Sequence, residues 1–289
     1  MTPLAPFQID PETFLKDHCT LPALPKAVAA IQSIIYSENV SVSRVAGLIA
    51  TDPSLVAQIL KVINSAYYSL PREISDVNLA VGFLGIHETY RIALSISVVN
   101  TIGASERGAF NAIWEHSVYT ALSAKYLQKI YEPLLSQGEL WATAILHDIG
   151  KLVYLKFFGD HYQAPSDHVE SQGCLFHEAE KALGYYPSAK LGALLCDHWR
   201  LPVKIKHVCL HHTLADLPHL DRRNPDPAFP RLVAVANLMA ILASNGLSKE
   251  KKESIKAVIC ATLDCTESDF LVHMGAIYDL KDEVSRMTF

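Results

Sequence analysis

The stretch Ile145-Leu146-His147-Asp148-Ile149-Gly150-Lys151-Leu152 decides how this chain is read. It sets an adjacent His-Asp pair into an apolar run with helical spacing. Burying a neutral polar group without a partner costs about 2–7 kcal/mol, so both side chains need one. A divalent metal is one candidate and a hydrogen-bonded polar network is the other. Upstream, Trp114-Glu115-His116-Ser117 carries a further imidazole on a helical pattern.

Outward from this stretch, apolar residues recur at helical spacing almost everywhere. Ala27, Val28, Ile31, Ile34 and Ile35 mark one amphipathic helix, with Pro25 in its first turn. Ser41 reads as an N-cap for Val42 to Ala50, and Asp52-Pro53-Ser54 opens the next helix. Val77 to Leu84 ends at Gly85, and His87 to Ile102 and Phe110 to Tyr131 follow. Glu139 to Phe158 reads as one helix carrying the His-Asp pair. Val169 to Leu183, Pro187 to Trp199 and Val203 to His212 come next. Pro218, Pro225, Pro227 and Pro230 mark a loop. Arg231 to Ser244, Lys249 to Leu263 and Ser268 to Arg286 complete the set. No alternating pattern persists beside a hairpin signal, so the expected class is all-α. The expected organisation is an N-terminal helical lobe (1–105), a second helical lobe (106–215), and a Pro-rich loop with a helical extension (216–289).

Half of the 289 residues are hydrophobic, enough for a sizeable core. The net charge of -5 and the lack of a long basic run argue against general nucleic-acid binding. The longest apolar run, Ile92 to Val99, is broken by Ser95 and Ser97, so no membrane span is expected. Met1 to Pro6 lacks a charged and apolar leader pattern. Cys19, Cys174, Cys196, Cys209, Cys260 and Cys265 form no CxxC pair and read as reduced thiols. These features together point to the cytoplasm.

His116, His147, Asp148 and one of His211 and His212 can converge in the core of a helical bundle, a common place for a metal. Adjacent helical residues point about 100° apart, so at most one of the two neighbouring histidines faces the site. Imidazole with carboxylate suits zinc, iron or manganese. Such a metal activates water toward phosphate esters. Lys151 reads either as a phosphate contact at the mouth of the site or as a solvated charge. Asp197-His198 reads as a surface pair, and Asn64, Ser65, Tyr67 and Tyr68 as helix-ending and inter-lobe groups.

The order of blocks resembles the HDOD family, the HD-related output domain of bacterial signalling proteins, within the HD superfamily of metal-dependent phosphohydrolases. The matching stretches are Leu21-Pro22-Ala23-Leu24-Pro25, Ile49 to Leu55, Asn64 to Tyr68, Ala80 to Gly85, and the His116 and His147-Asp148 set. Glu180, Leu183-Gly184, Gly192 to Leu195, Trp199 to Pro202 and His211-His212 follow. The resemblance implies a two-lobed all-helical fold with an HD-like bundle. It implies metal ligands at His116, His147, Asp148, Asn237 and His212, with Asp148 and Lys151 catalytic if the protein is active. The departures are Ser188, where an active HD enzyme has a His, and Asn237, where it has an Asp. A neutral amide binds a hard cation less well than a carboxylate. What is implied is a degenerate site holding iron, manganese, zinc or no metal. The protein would then regulate through a signalling partner, with a nucleotide as candidate ligand. The alternative is a phosphodiesterase acting on a nucleotide or cyclic dinucleotide.

Overall fold

Side-chain caps start six of the described helices. Ser41 accepts from Arg44 N, Asp52 from Leu55 N, Asp76 from Leu79 N and Ser136 from Glu139 N. Ser248 and Thr266 do the same for the last long helices. Each satisfies an amide that would otherwise lack an intrahelical partner. The computed structural model describes residues 13, 23–102, 107–220, 228–244 and 246–287, and no strand occurs among them. The protein is all-α.

The helices run α1 (Lys26–Ile34), α2 (Val42–Ala50), α3 (Pro53–Ile63), α4 (Val77–Leu84) and α5 (Ile86–Ile102) in the first group. Then come α6 (Arg107–Tyr131), α7 (Gln137–Leu146), α8 (Ile149–Phe157), α9 (Gly159–Gln172), α10 (Phe176–Ala182), α11 (Ser188–His198) and α12 (Val203–Leu210). The chain ends with α13 (Ala228–Ser244), α14 (Lys249–Leu263), α15 (Glu267–Tyr278) and α16 (Lys281–Met287). The core is built on α6, which packs along α13 and α7, and on the α8–α11 pair. Helix α5 is buried along most of its length and joins the first group to α7. No single helix among the described residues is long and apolar enough to cross a membrane.

Asn64 to Tyr68 join the first group to the second. The Tyr67 hydroxyl donates to the Gln137 carbonyl at 2.6 Å, and its ring meets Trp141 edge-on at 4.9 Å. Lys125 Nζ donates to the Ala66 carbonyl at 3.3 Å. Asn64 brackets Ile74, donating to its carbonyl and accepting from its amide. Arg91 of α5 reaches Glu139 of α7 at 3.0 Å.

Three predicted helices are each divided in two. The expected Glu139–Phe158 helix breaks at His147-Asp148, where Asp148 has φ -102° and ψ 17°. Side chains take the carbonyls freed there. His147 Nδ1 bonds Ala144 O at 2.6 Å, and Cys209 Sγ donates to Leu146 O at 3.2 Å. The expected Val169–Leu183 helix breaks at Gly173, whose φ of 60° suits glycine. Gly173 also meets the start of α14, where its carbonyl accepts from Ser248 N at 3.0 Å. The expected Ser268–Arg286 helix breaks after Tyr278, where the Ile277 carbonyl accepts from Leu280 N and from the Tyr119 hydroxyl. The LPxLP-like start and Cys19 fall wholly or partly outside the described residues, as does the 103–108 boundary.

Candidate functional site

The break between α7 and α8 aims His147 and Asp148 inward. Both are buried. Gly150, two residues past Asp148, lies against α11: a Cβ there would overlap the Ser188 carbonyl oxygen. Gly192 of α11 sits opposite, where a Cβ would lie 3.2 Å from Ile149 Cγ2 and 3.3 Å from Gly150 N. The two helices therefore cross backbone to backbone, which fixes where Asp148 and Lys151 point.

Asp148 is the hub. Its Oδ2 lies 2.6 Å from Lys151 Nζ, 3.2 Å from His147 Nε2 and 3.5 Å from His116 Nε2. Its Oδ1 lies 3.2 Å from His212 Nε2. Burial alone pushes this carboxyl up. The charges of His147 and Lys151 and the contact from His212 outweigh that and hold it well below the usual carboxylate range.

The imidazoles are fixed by backbone carbonyls. His147 Nδ1 must donate to Ala144 O, and His212 Nδ1 donates to Cys209 O at 2.8 Å. In the neutral ring the other nitrogen, Nε2, then presents a lone pair. Both Nε2 atoms face the Asp148 carboxylate. Two lone pairs facing an anion require added protons or a shared cation. His147 Nε2 is also buried without a hydrogen-bond partner. His116 is pushed down to about 3, chiefly by burial, so its ring is neutral at physiological pH. Its Nε2 donates to Asn237 Oδ1 at 2.9 Å, so the proton has to move to Nδ1 before Nε2 can ligate a metal. Asn237 Nδ2 donates to the His212 carbonyl at 3.1 Å, and this bond turns the amide oxygen toward His116.

The structure thus brings His116, His147, Asp148, Asn237, His212 and Lys151 together. The ligand atoms of His116, His147 and Asp148 lie within 4.8 Å of one another. Imidazoles locked with Nε2 inward, an ionised carboxylate and an orphaned buried nitrogen fit a divalent cation. When bound, such an ion supplies a Lewis acid for a phosphate oxygen or a water. Lys151 is a cation already in place. Burial pushes it down, but Asp148 more than offsets this and its pKa lies above the usual lysine value.

His211 is the neighbour that turns away. It is partly exposed, 3.8 Å from Asp216. Asp197 is exposed and bonds Lys206, away from the site. Cys196 Sγ and Cys209 Sγ lie 3.9 Å apart as buried free thiols.

A cleft of about 620 Å³ opens beside the hub. Lys151, Ser188, His212 and Asn237 form its inner end, and Phe176, Tyr185, Leu238 and Ile241 give it apolar walls. Two of its groups carry no role in the sequence reading. Glu180 is buried, accepts from Ser188 N at 2.9 Å and is pushed up to about 7 by burial. His177 is pushed down to about 4 by burial. Their spacing of three, which puts both on one face of α10, is the only sequence signal that joins them.

Residues 21–215 match the HDOD domain family model, and the chain belongs to that family. An uncharacterised protein of Treponema pallidum (strain Nichols) is 23% identical over 199 residues, covering 68% of this chain and 39% of the relative. This chain therefore spans about two fifths of that relative's length. Three solved structures share the fold. An HDOD domain protein of unknown function from Geobacter sulfurreducens is 23% identical, with a TM-score of 0.68 over 94% of this chain and 95% of that one. A candidate phosphohydrolase from Shewanella amazonensis SB2B is 23% identical, with a TM-score of 0.68 over 92% and 93%. A candidate signal transduction protein from Marinobacter aquaeolei VT8 is 19% identical, with a TM-score of 0.69 over 97% of this chain and 61% of its own.

Proposed function

We propose that the chain is a bacterial regulatory module that binds a divalent cation, and a phosphate-bearing ligand in the adjoining cleft, without efficient turnover. The carrying observation is the pairing of His116 Nε2 with the neutral Asn237 Oδ1 at 2.9 Å. The family resemblance gives that place to an Asp, and it gives the place of Ser188 to a His. The hub accordingly has one carboxylate, Asp148, and that carboxylate is shared with Lys151. Ligand occupancy would be passed on to a signalling protein partner.

The test is elemental analysis of protein purified without a metal-affinity column, beside Asp148→Ala, with bis(4-nitrophenyl) phosphate as the turnover probe. About one metal equivalent, lost in the variant, with no turnover is the expected result. Turnover that disappears in both His147→Ala and Asp148→Ala would overturn it in favour of a metal-dependent phosphohydrolase acting on a nucleotide or cyclic dinucleotide.

A further inference from the structure

We infer that Lys151 is an internal cation that holds Asp148 until a divalent metal arrives and then turns into the cleft to meet a phosphate, so that metal and phosphate bind cooperatively. This rests on the metal-binding reading above and adds to it a coupling between two ligands.

The competition is for one atom. His116 Nε2 and His147 Nε2 both approach Asp148 Oδ2, at 3.5 and 3.2 Å, and Lys151 Nζ already lies 2.6 Å from that same oxygen. A metal joining the two imidazoles must share Oδ2 with an ammonium of like charge. The side chain lines the cleft, and Nζ, while bonded to Asp148, also lies 4.8 Å above the Phe176 ring on the cleft wall, a face that favours a cation. The cleft also suits an anion. Lys181 and Lys190 stand exposed on its rim, and neither pairs with a carboxylate among the described residues. With the metal in place, the released ammonium and the two rim lysines outnumber the cleft's carboxylates, Asp216 and the partly ionised Glu180, and leave it net positive. An anion bound there would in turn draw Lys151 off Asp148 and favour the metal, as linkage requires.

The two cations therefore oppose each other at Asp148, while Lys151 assists the phosphate. Lys151→Met should change the two affinities in opposite directions. Mn2+ binding to the full chain, read by electron paramagnetic resonance with and without millimolar inorganic phosphate, tests this. In the wild type, phosphate should tighten Mn2+ binding by about fivefold, the low end of ordinary coupling. In Lys151→Met, Mn2+ alone should bind about threefold tighter than in the wild type, and the phosphate effect should vanish. Equal or weaker Mn2+ binding by the variant, or an undiminished phosphate effect, overturns the inference.

Should the variant fail to fold, acetic anhydride labelling of the wild type, read by peptide mass spectrometry, decides. Mn2+ should raise labelling of Lys151 and leave Lys206, which pairs with the remote Asp197, unchanged. Unchanged or slower labelling of Lys151 overturns the inference. Absence of any Mn2+ binding to the wild type overturns the metal-binding reading together with it, whereas bound Mn2+ without the Lys151 effects overturns the coupling alone.

Discussion

Gly150 passes so close to Ser188 that a Cβ on Gly150 would overlap the Ser188 carbonyl oxygen. The neighbouring atom is backbone, in the first turn of α11, and cannot swing aside as a flexible side chain would. Gly150→Ala should therefore force α8 and α11 apart and cost about 3 kcal/mol, at the upper end of typical overpacking penalties. Urea unfolding followed by circular dichroism measures it. A loss below about 0.5 kcal/mol, the range of an ordinary surface substitution, would show that the helices separate freely.

Asn237→Asp restores an anionic oxygen beside His116. Without metal, the new carboxylate would stand near Asp148, and the His212 carbonyl would lose the amide that now donates to it. Leaving a buried acceptor unsatisfied costs about 1–3 kcal/mol. The metal-free variant should therefore melt below the wild type. With Mn2+ the gap should narrow, because a carboxylate is the better ligand for a hard cation. Affinity should rise by about tenfold, the lower end of what supporting groups contribute at metal sites. Unchanged Mn2+ affinity, measured by titration calorimetry, would mean that Asn237 does not border the ion.

The helical class and the convergence of His116, His147 and Asp148 were legible because both follow from local pattern. Apolar periodicity marks helices, and an acid or imidazole on a core-facing position must find a partner. The break at His147-Asp148 was not legible, because the run from Ile145 to Leu152 keeps helical spacing straight across it. What ends α7 is long-range: the thiol of Cys209, 63 positions away, takes the Leu146 carbonyl. The break at Gly173 likewise depends on contact with Ser248. Glu180 and His177 escaped notice as site groups because a seven-residue helix shows little periodicity, and the cleft they line is closed by distant Leu238 and Ile241.

The Tyr67 hydroxyl is one of the bonds between the two helical groups. It donates to the Gln137 carbonyl at 2.6 Å, at the start of the helix that ends in Leu146 and His147. Tyr67→Phe keeps the ring contact with Trp141 and removes one bond to a carbonyl that keeps its place in the helix ladder. The expected cost is about 1 kcal/mol, seen as a lower urea midpoint with an unchanged slope. A midpoint equal to the wild type's would show that the hydroxyl contributes nothing to holding the groups together.

Glu180 should make stability depend on pH near neutrality. Its carboxyl is pushed from 4.5 up to about 7 by burial, against the opposing bonds from Ser188. A raised carboxylate pKa means that the folded protein holds a proton the unfolded chain has released. The stabilisation is fully present below about pH 4.5 and is lost as pH rises through about 7, since stability falls with pH wherever the folded state binds more protons. The difference in pKa corresponds to about 3 kcal/mol across that window. Glu180→Gln keeps a neutral hydrogen-bonding side chain at every pH. His116 and His177 contribute equally to the pH dependence of both proteins, so the gap between their melting temperatures should widen from pH 5 to about 8 in favour of the variant. Melting curves across that range give the answer. A gap that stays constant would mean that Glu180 ionises in the fold as easily as it does in the unfolded chain.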